Sequence, residues 1–208
     1  GYASHVLCVA SSHFGSAEKQ FRYPLAYANQ RPLSATWTVT GCGAFVVGNT
    51  GRVRITGITT GKIVDYGVRD SMNMGACMAP AAADTIAQNL QDFGRTPEDY
   101  DQIITGDLGK VGKEILLTLM KEQGVDISRQ HADCGIEIYD AETQDTHSGG
   151  SGCGCSAVTL GAYILDQLAE GRWKRVLFVP TGALLSTVSF NEGQTIPGIA
   201  HGVVLETA

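Results

Sequence analysis

The run His147-Ser148-Gly149-Gly150-Ser151-Gly152-Cys153-Gly154-Cys155-Ser156-Ala157 holds four glycines just ahead of an apolar helical pattern. A glycine-rich loop opening into a helix leaves backbone N–H groups at the positive end of the helix dipole. That setting suits a carboxylate, a phosphate or a thioester oxygen. Gly150, Ser151, Gly152 and Cys153 are therefore candidate ligand contacts, although the same glycines would also let the loop pass close to a neighbouring helix. Cys153 lies near a helix start, where a thiol becomes more acidic and more nucleophilic, yet a small buried hydrophobe would serve there equally. His13 follows Ser11-Ser12 at the end of one strand pattern, and Asp107 follows Thr105-Gly106 at the end of another. Ligand groups of α/β folds gather at such strand ends. Capping and packing are the plainer roles for both.

Other patterns fail on their spacing. Gly152-Cys153-Gly154-Cys155-Ser156-Ala157 fits G-x-G-x-x-A, but a dinucleotide site needs a strand directly before it and an acid closing the next strand. The serine-hydrolase elbow G-x-S-x-G fails because Cys153 follows Gly152. His131, Asp133, Cys134 and His147 lack the C-x-x-C or H-x-x-x-H spacing of a metal site, and neither metal nor cofactor is expected. Arg22 and Arg31 flank a long loop, Glu18–Ala35, that could cover a pocket, while solvated surface arginines are the ordinary reading.

The elements that must position these residues alternate in type. Strands are expected at Val6–Ala10 and Gly43–Gly48, both buried, and at Arg52–Thr60 as a hairpin partner after the turn Asn49–Gly51. Helices are expected at Ala79–Phe93, at a short start around Thr96-Pro97-Glu98-Asp99, at Lys113–Glu122 and at Ser156–Glu170. Further strands are expected at Gln102–Thr105, Gly135–Tyr139, Arg175–Pro180 and Gly202–Glu206. The stretch Thr146–Leu165 carries no Asp, Glu, Lys or Arg, which suggests a helix buried on all sides. Alternating strands and helices argue for α/β layers around a largely parallel sheet.

The 208 residues include 26 glycines and only 17% charged residues, with a net charge of −6. Such composition excludes intrinsic disorder, and an acidic chain without a Lys/Arg cluster argues against nucleic-acid binding. No segment has the apolar length of a membrane span. Six scattered cysteines read as reduced, mostly buried thiols of an intracellular protein. Two stretches look like copies. Gly1–Val9 lies over Gly171–Val179, then Thr38-Val39-Thr40-Gly41 over Thr195-Ile196-Pro197-Gly198, and Val46-Val47 over Val203-Val204. The second copy has nearly a hundred residues before Gly171, from about Cys77, that the first lacks. The expectation is an internal duplication in which residues 1–60 end a first repeat and residues 61–208 form a complete second one.

A duplicated strand–crossover–strand pattern, with a glycine-rich loop before an uncharged central helix, resembles the thiolase fold over nearly the whole chain. Several strings resemble the stage V sporulation protein AD family: Ser11-Ser12-His13, Glu18-Lys19-Gln20-Phe21-Arg22-Tyr23-Pro24, Met78-Ala79-Pro80-Ala81-Ala82-Ala83-Asp84-Thr85-Ile86, Thr105-Gly106-Asp107-Leu108, Gly149-Gly150-Ser151-Gly152-Cys153, Thr181-Gly182-Ala183-Leu184-Leu185-Ser186 and Ile199-Ala200-His201-Gly202-Val203-Val204. The resemblance implies a layered α/β/α/β/α architecture lacking most of its first repeat. It implies binding of dipicolinic acid (pyridine-2,6-dicarboxylate), free or as its calcium chelate, during uptake into the developing spore. It also implies a homodimer that works with membrane proteins of the same transport system, peripheral to the spore inner membrane.

Relative to condensing enzymes of the fold, the nucleophilic cysteine would precede Gly1. Their histidine after the strand ending at Thr105 is replaced here by Gly106-Asp107, and their asparagine or second histidine by Gly150-Ser151-Gly152. The resemblance thus implies a binding protein without catalytic residues in this chain. The rival reading is an acyl-thioester condensing enzyme whose nucleophile lies upstream of Gly1.

Overall fold

The apolar repeat at Ala82, Ile86, Leu90 and Phe93 falls on one face of a long helix in the computed structural model, which describes residues 3–15 and 32–208. In chain order the elements are β1 (Val6–Ser12), β2 (Thr36–Thr38), β3 (Gly41–Val47), β4 (Val53–Thr59), α1 (Met74–Phe93), β5 (Gln102–Thr105), α2 (Gly109–Glu122), β6 (His131–Asp133), α3 (Cys134–Glu137), β7 (Gly149–Ser151) and α4 (Cys153–Thr159). A π-helical turn, Leu160–Ile164, joins α4 to α5 (Leu165–Ala169), followed by β8 (Arg175–Val179), β9 (Thr181–Ala183), α6 (Thr187–Asn191), β10 (Gly198–Ala200) and β11 (Gly202–Thr207). The proposed helix start at Thr96 is a single 3-10 turn, Pro97–Asp99, held by a capping box between Thr96 and Asp99.

The central sheet has the order β4-β11-β8-β5-β6. β5 runs parallel to both β6 and β8, whereas β11 runs antiparallel to β8 and β4. Alternation along its strands divides the core in two. Ile103, Leu177 and Val179 point into one cluster with Ile86 and Leu90 of α1 and Leu116 and Met120 of α2. Ile104, Val176 and Phe178 point into the other, with Cys155, Ile164 and Leu168 from the α4–α5 helix. Each fully buried Leu or Ile contributes about 1.5–3 kcal/mol through removal from water. On the far side of α4 lies the β1–β3 pair, where a Cβ at Gly43 would stand 2.7 Å from the Ala157 backbone. Glycine is what lets this strand rest directly on the helix.

Several expectations need correction. β1 and β3 form strands, but β1 is mostly exposed: Leu7 is 66% and Val9 57% accessible, because α4 covers one face only. β4 makes no hairpin with β3. It closes the edge of the central sheet on β11, with a register shift at Val204/Leu205. Gly135–Tyr139 is no strand. The strand is His131–Asp133, and Cys134 begins a helical turn. The uncharged helix is not enclosed all round, since Cys153 and Gly161–Tyr163 face solvent. The six cysteines are thiols outside any disulfide, but only Cys77, Cys134 and Cys155 are buried. Residues 18–31 of the loop Glu18–Ala35, with both Arg22 and Arg31, lie outside the described residues. The repeat alignment is one residue out on its returning strand: Leu7 pairs with Val46 while Leu177 pairs with Val204, so Val46 matches Val204 rather than Val203. Among the described residues, no helix is long and apolar enough to cross a membrane.

Candidate functional site

Two residues beyond β5, the chain turns through Gly106-Asp107-Leu108 into α2 and aims Asp107 at the start of α4. Asp107 Oδ2 accepts hydrogen bonds from Ser151 Oγ at 2.8 Å and from the Gly152 N–H at 3.0 Å. Its Oδ1 accepts one from Thr181 Oγ1 at 3.0 Å, and that oxygen in turn accepts from the Asp107 N–H at 3.2 Å. A second donor of the helix start is also taken: Gly154 N–H donates to Ser12 Oγ at 2.9 Å, while Ser12 donates to the Val39 carbonyl at 2.6 Å. The anion at the positive end of α4 is thus a carboxylate of the chain itself, and the cap is a hydroxyl from β1. Of the expected donors in Gly150–Cys153, the Gly152 N–H is therefore engaged by Asp107 within the chain.

A cavity of about 560 Å³ opens beside this network. Phe45, Met72, Met78, Leu160 and Phe178 make its walls apolar, and Ser151, Asp107 and Thr181 form a polar end. Gly152 and Cys153 also line it, and Cys153 is exposed. Gly152 sits at φ 108°, a conformation that side-chain-bearing residues rarely adopt. Gly150 and His13 are not among the lining residues. Gly150 belongs to β7, which pairs with β2, and a Cβ there would lie 2.6 Å from Ile138 Cγ2, so the backbone passes too close to Ile138 for a side chain. His13 is exposed, and its Nδ1 accepts from the Gly15 N–H at 3.1 Å.

Behind the turn lies a second, fully buried polar group. Asp133 Oδ2 accepts from Thr105 Oγ1 at 2.6 Å and from the Leu108 N–H at 2.9 Å, and Oδ1 accepts from the Gly109 N–H at 3.0 Å. Burial pushes the Asp133 carboxyl up to about 6, against the lowering effect of those donors. His131 Nε2 lies 2.9 Å from Thr105 Oγ1, and its Nδ1 is buried with no partner. Since Thr105 has one proton and spends it on Asp133, Nε2–H of His131 must be the donor. Burial, and next the Lys113 ammonium, bring this imidazole down to about 3, so it is neutral. His147 stands apart, bonded to the Pro32 carbonyl. Among the described residues, no three His, Cys, Asp or Glu side chains are grouped as a metal site.

A family model described as stage V sporulation protein AD matches residues 1–206. The chain belongs to that family. Stage V sporulation protein AD of Bacillus subtilis (strain 168) is 50% identical over the whole chain, which spans 62% of that relative's length. The layered fold is thiolase-like. A tetronic acid condensing enzyme superposes over 99% of this chain and 60% of its own, with a TM-score of 0.57 and 18% identity. The 3-oxoacyl-[acyl-carrier-protein] synthase III of Aquifex aeolicus VF5 superposes over 98% of this chain and 58% of its own, with a TM-score of 0.54 and 13% identity.

Sequence reasoning singled out Asp107, Ser151, Gly152 and Cys153, which line one cavity, but missed Ser12 and Thr181. Both lie in family-like strings, Ser11-Ser12-His13 and Thr181-Gly182-Ala183. The available signal was period-2 alternation: the residue before His13 is the one directed at α4.

Proposed function

We propose that this chain is part of a non-catalytic sporulation protein that binds dipicolinic acid for uptake into the developing spore. The observation that carries this reading is the chemistry of the cavity. Among its described lining residues the titratable groups are Asp107 and Cys153, and the Asp107 carboxylate is engaged by Ser151, Gly152 and Thr181. A carboxylate that accepts three hydrogen bonds is poorly placed to take a proton from substrate as a general base. Apolar walls suit a flat pyridine ring, and the hydroxyls of Thr36, Ser71 and Ser156 supply the kind of donor that carboxylates accept.

In the same reading residues 1–60 end one repeat and residues 61–208 form the other, the protein is a homodimer, and it acts with membrane proteins at the spore inner membrane. Titration calorimetry of the full-length protein with dipicolinic acid, alone and with one equivalent of calcium, tests the ligand, with pyridine-2-carboxylate as control. Saturable heat for dipicolinate and none for the control is expected. Equal or absent heats, or turnover of an acyl-coenzyme A, would overturn the assignment. Light scattering that finds only monomer would remove the dimer.

A further inference from the structure

We infer that Asp133 is a positioning residue of the cavity: its buried carboxylate clamps the turn Gly106–Gly109 and so holds Asp107 against Ser151, Gly152 and Thr181. The clamp and the cavity share one short segment. Asp133 takes the N–H groups of Leu108 and Gly109, the two residues that follow Asp107. It is wholly inaccessible to solvent, so no water can replace it as acceptor. Among the described residues Asp133 is the acceptor that holds these two amides, while the other flank is tied by Gly106 N–H to Val179 O and by Asp107 N–H to Thr181. The link to ligand affinity rests on the binding function proposed above; the clamp itself does not.

The clamp is sensitive to protonation, and the sign follows from solvation. A buried carboxylate with a raised affinity for its proton is better tolerated neutral, so opening the turn to water is easier when Asp133 is charged. The turn is therefore tighter below about pH 6 and looser above it. Protonated Asp133 donates to Thr105, whose hydroxyl can turn to the Ala132 carbonyl. The charged or titratable groups facing Asp133 are Asp107 from the turn, Cys134 beside it, His131 across Thr105, and Lys113 of α2, which bonds the His131 carbonyl. The His131 imidazole and the Cys134 thiol are both held neutral through this range by burial.

Amide hydrogen exchange, normalised for intrinsic rates and followed from pH 5 to 8, reads the clamp directly. The Gly152 amide, bonded to Asp107, reports whether Asp107 stays in place. In the wild-type protein, protection at Leu108, Gly109 and Gly152 should fall as pH rises through about 6. Asp133→Asn leaves one backbone donor facing an amide NH₂ in either orientation. It should lower protection at these amides by about tenfold or more and remove the pH step. Thr105→Val, which deletes a donor to the charged form, should move the step to higher pH while the protein stays folded. If wild type binds dipicolinate, folded Asp133→Asn should bind it about tenfold more weakly. Unchanged Gly152 protection in Asp133→Asn, a step of opposite sign, an unmoved step in Thr105→Val, or undiminished affinity would each overturn the positioning role. Absence of dipicolinate binding by wild type would overturn the proposed ligand and leave the exchange results to judge the clamp.

Discussion

Replacing Ser12 with alanine removes one oxygen that two backbone groups depend on. Ser12 Oγ accepts from the Gly154 N–H and donates to the Val39 carbonyl. Loss of a helix cap costs about 1 kcal/mol, and loss of the second bond a further 0.5–1.5 kcal/mol or so. Ser12 is part-buried and borders the cavity, so water can reach part of the gap and hold the total near 2 kcal/mol. For a chain of this size that equals a fall in Tm of about 4–8 °C. Scanning calorimetry of Ser12→Ala, with urea unfolding at constant m-value as a check, measures it. Ser12→Thr, which keeps the hydroxyl, should recover most of the loss. A Tm within about 1 °C of wild type for the alanine variant would mean that the α4 start is not capped from β1, and that the description of the cavity's polar end is wrong.

Gly152→Val places a β-branched residue at φ 108°, with its Cβ 3.1 Å from Ser12 Oγ, and should cost about 1–3 kcal/mol while abolishing dipicolinate binding in calorimetry. Unchanged affinity in the folded variant would assign this glycine to packing alone. Gly61→Ala should be the harsher change, about 2–4 kcal/mol by urea titration, because the new Cβ would overlap the Ala200 carbonyl and crowd Thr85. Arg175 holds the Glu206 carboxyl below its ordinary range, so this pair stabilises above pH 4.5 and the contribution is lost as pH falls below it. Both partners are partly exposed, so Glu206→Gln should cost about 1 kcal/mol or less at pH 7 and progressively less as pH falls below 4.5.

The α/β layers were legible because α1, α2 and β8 carry regular apolar spacing that has one interpretation. Misreadings came where neighbours decide. Val6–Ala10 has the composition of a buried strand, but among the described residues β3 pairs with it and α4 packs on it while Leu7 and Val9 stay largely exposed, which strand composition alone does not report. Val53–Thr59 alternates as any edge strand would, and its choice of β11 over β3 is a property of the sheet edge. Gly135–Tyr139 is apolar enough for a strand, yet Asp133 has already ended β6 by turning its carboxylate to the next turn. Asp107 and Ser151 were found through strand-end position and glycine context. That Asp107 would itself fill the helix start could not be read locally, since its partners are 44, 45 and 74 residues away.

The bond between Ser12 and Gly154 spans 142 residues, and its consequence concerns the order of folding. Local helices such as α1 and α2 can close early, whereas a contact of this separation bears the entropy of a very large loop and forms late. The polar end of the cavity is therefore assembled from chain segments that meet only when the rest of the molecule is in place. A nascent or partly unfolded chain has the glycines and the aspartate but no cavity. Conversely, any molecule that fits the finished cavity selects the completed chain from all earlier states, and at a hundred times its Kd it would protect that state by about 2.7 kcal/mol.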